Sequence, residues 1–407
     1  MYVTNTNEAG SGSLRDCIQQ AGPRTCIFRV SGTIVLEKQS LVASNPYLTI
    51  AGETAPGGGI AIRNGPRQLR PSLEIHTHDV IVRHLRIRPG PHELKSCCSG
   101  AIGVYKRASR DVIFDHISAS WGSDETMDSE YAERLTVQWS IFSEPLYSGG
   151  PGKSTRARNM LLTRGGDFSV HHNLFSHGIF RNPQIAPETP GTTTEIVNNL
   201  MYSPQWQYVV SLMNNRGKVA ANIIGNLKLT GKDIASDRLV HLFDYGEFGF
   251  EIYLRDNLDE DNRETSDLPE DLVLAPENRN YVVSEPVVTP LVHADPVASV
   301  YESVLQNAGA TRPMRDVVDQ RVIEEVRNRS GRVLKRNPEK VGGWPELSIA
   351  LPYLDVDTDG MDDEWEVKWG LDPSDPLDGI DDQDEDGWTN LEEFLHEMAG
   401  DGAGMGK

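Results

Sequence analysis

The sequence lacks any run approaching the roughly eighteen to twenty apolar residues that a membrane-spanning helix needs. Its opening residues, Met1 to Thr6, also lack a basic and then apolar leader, so the sequence reads as a mature chain. Positive charge is in deficit. The 39 Lys and Arg stand against 60 Asp and Glu, a formal charge of −21, and no nucleic-acid partner is expected. Cysteine is sparse: of four, Cys17 and Cys26 lie close together and Cys97 and Cys98 are adjacent. That usage is compatible with an oxidising compartment without establishing one, and a Cys17–Cys26 disulfide and two buried thiols both remain open. Helical patterns of ten or more residues are missing between the apolar runs of the first three hundred residues, which disfavours a doubly wound parallel sheet.

The negative charge is concentrated. Between Leu354 and Glu397, eighteen acidic residues and one lysine account for −17, leaving residues 1–353 at only −4. The main body is therefore open to an anionic partner despite the acidic total.

Short β-branched runs recur through that body. They read DVIVRH (79–84), DVIFDH (111–116), RLTVQW (134–139), DFSVHH (167–172), TEIVNN (194–199) and KVAAN (218–222). Aligned on their last residues they step by 32, 23, 33, 27 and 23, which suits one coil of a β-solenoid with insertions in the longer steps. Val80, Val82, Val112 and Phe114 are expected to point inward, and asparagines at the turns to stack as ladders. From about Ala298 the period becomes helical, over 299–307 and 315–329, with each segment ending near a glycine. The expected organisation is a solenoid over 1–297, a helical flank over 298–353 and an acidic tail over 354–407.

The tail repeats a calcium-loop spacing twice. Asp355, Asp357, Asp359, Asp363 and Glu366 occupy positions one, three, five, nine and twelve, with Gly360 at six; Asp382, Asp384, Asp386, Asn390 and Glu393 repeat this around Gly387. Alternate oxygens of a tight loop can converge on a hard cation, and a carboxylate at position twelve can bind it bidentately. Two EF-hand-like structural calcium sites are expected.

Chemistry is densest between Asp111 and Ala186, where Asp115-His116, Asp124-Glu125, Asp128, Lys153, His171-His172 and Arg181-Asn182-Pro183 succeed one another. Residues at equivalent points of successive coils lie roughly 4.8 Å apart, so these would become neighbours on one face. With GSLR (12–15), VSGTI (30–34), LTIAG (48–52), TAPG (54–57), VRHLRIRPG (82–90) and GGWP (342–345), the chain resembles a bacterial pectate lyase of polysaccharide lyase family one. The resemblance implies an all-β, right-handed parallel β-helix, secreted and monomeric, acting on pectate or another acidic polysaccharide. It implies a catalytic Ca2+ held by Asp115, Asp124 and Asp128, Arg181 as base and Lys153 on the substrate carboxylate, with Arg156, Arg158 and His172 as further substrate contacts. Structural roles for His116, His171 and His172, at the turns, are the competing reading. Two arginines that family members carry after the base are replaced here by Gln184 and Ala186, which bears on the substrate more than on the reaction.

The expected reaction abstracts the proton beside a uronate carboxylate, with cationic groups stabilising the enolate-like charge that develops. Arginine can act as base only where its pKa is strongly depressed. A polygalacturonase-like hydrolase, which needs two suitably separated carboxyl groups, and a calcium-stiffened glycan-binding solenoid are the alternatives.

Overall fold

The computed structural model describes residues 1–93, 99–147, 157–203, 209–232, 238–287 and 292–400. Among these, strands pass in turn through three wholly parallel sheets and then begin the next coil. One circuit runs from Leu48–Ala51 in the first sheet to Ile60–Asn64 in the second and Leu73–Ile75 in the third, before His78–Arg83 returns to the first. This arrangement matches a right-handed parallel β-helix.

Because the coils stack in register, like side chains meet. Val82, Phe114, Val137, Val170 and Ile196 are successive partners across the first sheet and are wholly buried. Each such burial contributes about 1.5–3 kcal/mol, and the row lines a continuous interior. The corner after each of these strands is left-handed, with φ of 49° at His84, 54° at His116, 45° at Trp139 and 55° at His172. The rings there stack, with centroids 4.7 Å apart for His84–His116, 6.2 Å for His116–Trp139 and 4.3 Å for Trp139–His172.

The residue after the corner carries the expected amide ladder. Asn173, Asn199 and Asn226 each donate Nδ2 to the Oδ1 of the next asparagine, ending at Asn257, with every step 3.0 Å. Pairing of His171 with Val197 and of Val197 with Ile224 places Asn198 and Gly225 at the corner. Alignment of the runs on Asn199 and Asn222 is thus one and three residues out of step. Asparagines flank the corner on both sides, and only pairing decides which one enters the ladder.

One end and one flank are covered. The helix Leu14–Gln19, unanticipated from the sequence, is capped by Ser13 and buries Leu14, Cys17 and Ile18. Cys17 and Cys26 form a disulfide, while Cys97 and Cys98 lie outside the described residues. Helices Val297–Asn307 and Val317–Arg327 pack Val304, Val322 and Val326 on Ile141, Leu174 and Leu200 of the second sheet, the flanking role expected of them. Two shorter helices, Asp363–Trp369 and Asn390–Ala399, carry the acidic loops, and Trp365 and Phe394 pack with Ala51 of the body.

Replacing Asn199 with Ala removes an amide that bonds the Val170 carbonyl at 2.8 Å and accepts the Asn173 N–H at 3.0 Å. The buried groups left unpaired should lower stability by about 1–3 kcal/mol, read as an earlier urea midpoint with an unchanged slope.

Candidate active site

Alternate residues of each third-sheet strand face outward, and register aligns them as Glu74, Gly103, Asp128, Leu161, Gln184 and Ser211. Gly103 matters by what it omits. A Cβ there would fall 2.4 Å from the Tyr105 ring, so the missing side chain lets that ring fold across the row. The Tyr105 hydroxyl then donates to Asp128 Oδ2 at 3.3 Å, while Asp128 Oδ1 is buried without a hydrogen-bond partner.

The strand Glu125–Glu130 supplies Glu125 and Asp128, and Asp124 immediately precedes it. Arg158, at the start of the next coil's strand, donates from Nη1 to Asp124 Oδ1 at 2.9 Å and to Glu125 Oε1 at 3.1 Å. Arg181, one coil further on, donates to the same Glu125 oxygen. The two guanidinium groups flank Phe180, at 4.9 and 5.6 Å from its ring centre. Three carboxylates and two arginines thus share one patch, and its electrostatics are strained. Burial, then the charges of Glu125 and Glu130, push Asp128 up to about 7. Burial and Asp124 push Glu125 up, opposed by Arg181 and Arg158. Burial also pulls Arg181 down, helped by the like charge of Arg158 and resisted by Glu125.

The expected residues divide. Asp124, Asp128, Arg158 and Arg181 come together, whereas Lys153 and Arg156 lie outside the described residues. Asp115 is separated from them. It ends the strand Arg110–Asp115 of the first sheet, where its carboxylate meets His116 at 2.7 Å, Gln138 at 3.1 Å and Arg83 at 3.5 Å. Burial raises its pKa, but these partners prevail and hold it at about 2. Among the described residues Asp115, Asp124 and Asp128 do not bring ligand oxygens within 4.8 Å of one another, which corrects the expected trio. Sequence proximity misled because each coil turns through three sheets. His172 is likewise displaced from the patch: it belongs to the ring stack at the first-sheet corner, with Nε2 3.3 Å from Asp295. Glu125 and Tyr105 were not anticipated as site residues. Tyr105 lies 23 residues before Asp128, one short coil, and that spacing is the signal that could have found it.

A divalent ion is compatible with part of this patch. The orphaned Oδ1 and raised pKa of Asp128 are those of a carboxylate short of a cationic partner, and Asp124 immediately precedes the same strand.

The tail holds two further acidic groups, each differing from the expected set. In the first, Asp357, Asp359 and Glu366 are joined by Asp378. Asp355 instead accepts from the Tyr2 hydroxyl, and Asp363 accepts the Val356 N–H at 2.9 Å. In the second, Asp382, Asp384 and Asp386 converge. Asn390 spends its amide on Asp378 O at 2.7 Å and the Gln383 N–H at 3.2 Å, while Glu393 is buried nearby with Oε2 unpaired. Burial, then Asp359, Asp357 and Asp378, push Glu366 up to about 8.

Asp124, Glu125, Asp128, Arg158 and Arg181 thus form an acid–arginine patch on one sheet face of a parallel β-helix. No protein-family model matches the chain. Curated relatives do: it is 30% identical to the probable pectate lyase C of Aspergillus flavus over 97% of this chain and 88% of that one. It is 32% identical to the probable pectate lyase C of Neosartorya fischeri over 91% and 83%. The chain belongs to the pectate lyase family, and these relatives are fungal where the sequence motifs suggested bacterial ones. Among solved structures it is similar to jun a 1, the major allergen from cedar pollen, at 15% identity and a TM-score of 0.49, covering 76% of this chain and 87% of that one.

The Asp128 carboxyl titrates at about 7 in the folded chain, against about 3.9 when unfolded. Below about pH 3 both states are protonated and nothing is lost; as pH rises to about 7 the unfolded chain ionises first, so stability falls. In calcium-free buffer Asp128→Asn should therefore stabilise the fold by about 1–3 kcal/mol at pH 8 and by under about 0.5 kcal/mol at pH 4, measured by denaturant unfolding at both pH values.

Proposed function

We propose that the protein cleaves polygalacturonate, or a closely related uronate polymer, by calcium-assisted β-elimination with Arg181 as the base. The observation that carries this reading is the Arg181 guanidinium itself, mostly buried, depressed in pKa by that burial, and set beside Arg158 on the third-sheet face. A neutral guanidine nitrogen takes the proton from C5 of the uronate. The electron pair forms the C4–C5 double bond, the bond from C4 to the glycosidic oxygen breaks, and that oxygen takes a proton from solvent. Water is not added across the bond, which separates the reaction from hydrolysis.

Asp124 and Asp128 would hold calcium, which when bound supplies positive charge to the substrate carboxylate and acidifies the neighbouring C–H. Glu125 orients Arg181 by accepting a hydrogen bond from its Nη1, a bond the neutral guanidine can also donate, and Arg158 holds Asp124 and Glu125 in place. Beside Asp128, Arg70, His76, Tyr105, Lys106, Arg107, Glu130 and Tyr131 line a hollow of about 460 Å3, where three cations to one carboxylate suit a further uronate unit. Lys153, Arg156 and secretion remain part of the proposal on family resemblance alone. Gln184 occupies the aligned row one strand beyond Leu161, so a neutral amide stands where family members use a cation, and tolerance of a less charged chain is expected.

Arg181→Ala should lower kcat by roughly 10²–10⁴-fold, read as loss of the short-wavelength ultraviolet absorbance of unsaturated uronate products. Wild-type kcat should rise with pH towards the alkaline range, because the base must be neutral, and chelation should abolish turnover until calcium is restored. Saturated products from the wild-type chain would sink the elimination reading in favour of a hydrolase. Undiminished cleavage by the variant would remove Arg181 as the base.

A further inference from the structure

We infer that Asp357, Asp359, Glu366 and Asp378 form a calcium site that fastens the acidic tail onto the first coils of the β-helix. The ligand atoms of these four carboxylates lie within 4.8 Å of one another. Clustered acids alone would not make a site. The independent observation is Glu366: the residue is wholly buried, and neither carboxylate oxygen has a hydrogen-bond partner. Asp357 Oδ2, Asp359 Oδ2 and Asp378 Oδ1 are also buried without partners. A buried carboxylate with no donor is costly, and a hard divalent cation with flexible oxygen coordination is the partner that satisfies several at once.

The ligand set differs from a simple twelve-residue loop, and the difference gives the site its role. Asp355, at the first loop position, faces the body. It accepts from the Tyr2 hydroxyl, and its Oδ2 lies 3.8 Å from Arg29. Arg29 in turn donates to the Tyr353 carbonyl at 2.6 Å and lies 4.6 Å from the centre of the Tyr353 ring. Gly360, at φ +112°, passes so near the body that a Cβ would come 2.4 Å from Ile27 Cδ1. Asp378 enters instead from the segment between the two tail helices. One ion would therefore tie together the loop anchored on Tyr2 and Arg29, the helix Asp363–Trp369 and the connection to the helix Asn390–Ala399. These hold Met361, Trp365 and Phe394 with Ala51. The tail then acts as a metal-locked cover for the N-terminal coils.

The test compares the full chain with Glu366→Gln, Asp378→Asn and Asp355→Asn by isothermal titration with calcium chloride and by limited proteolysis with and without chelator. Glu366→Gln and Asp378→Asn should each weaken one class of calcium site by at least about tenfold and speed cleavage within the tail to the rate of the chelated wild type. Asp355→Asn should keep that calcium site while loosening the tail. Calcium binding unchanged in Glu366→Gln and Asp378→Asn would overturn the site, and proteolysis indifferent to calcium would overturn the fastening role. Loss of the same site in Asp355→Asn would overturn the ligand set. Pectate cleavage at saturating calcium should persist in all three variants, whereas Arg181→Ala should lose cleavage and keep the tail site, so the two proposals fail separately.

Discussion

Parallel strands can satisfy their backbone groups only from the coil above and the coil below, and this need for register governs the rest of the molecule. It produces the inward rows of Val, Phe and Ile that make the core. It also produces the asparagine ladder, in which each amide both donates to and accepts from neighbouring coils, leaving little freedom for a coil to slip. Aromatic corners stack for the same reason. The extent of such a stack is limited only by its ends, which is why the Leu14–Gln19 helix closes one of them.

The same register builds the candidate site. Side chains separated by 23 to 33 residues become lateral neighbours, so Glu125, Arg158 and Arg181 form one network from three successive coils. Charges brought together this way are partly removed from water, and their pKa values move apart from their usual ranges: Asp128 and Glu125 upward, Arg181 downward. Such an arrangement works against stability at neutral pH, and ionisable groups shifted this far are common at active sites.

The tail follows different rules. Its helices are short and bury few side chains by themselves, so their order depends on Asp355 with Tyr2 and Arg29, on the apolar contact with Ala51, and on whatever neutralises the converging carboxylates. A sequence that looks like a detachable acidic appendage is in this structure joined to the first coils.

Much of this was legible in the chain itself. Recurrent β-branched runs, inward Val80 and Phe114, the two flanking helices and the spacing of Asp124, Asp128 and Arg181 follow from local pattern and family motifs. The Cys17–Cys26 bond was one of two open readings. What local pattern could not supply was which of three sheets a residue faces. Asp115 ends a first-sheet strand and Asp124, nine positions on, leads into a third-sheet strand, while Tyr105 and Asp128 are 23 apart and touch. Asp378 likewise joins the first tail cluster from outside its loop motif, and Asp355 leaves it. Periodicity determines that strands form and which side of each is apolar; the insertions between them set how the chain turns and which coils meet, and only closure of the stacked backbone hydrogen bonds decided that.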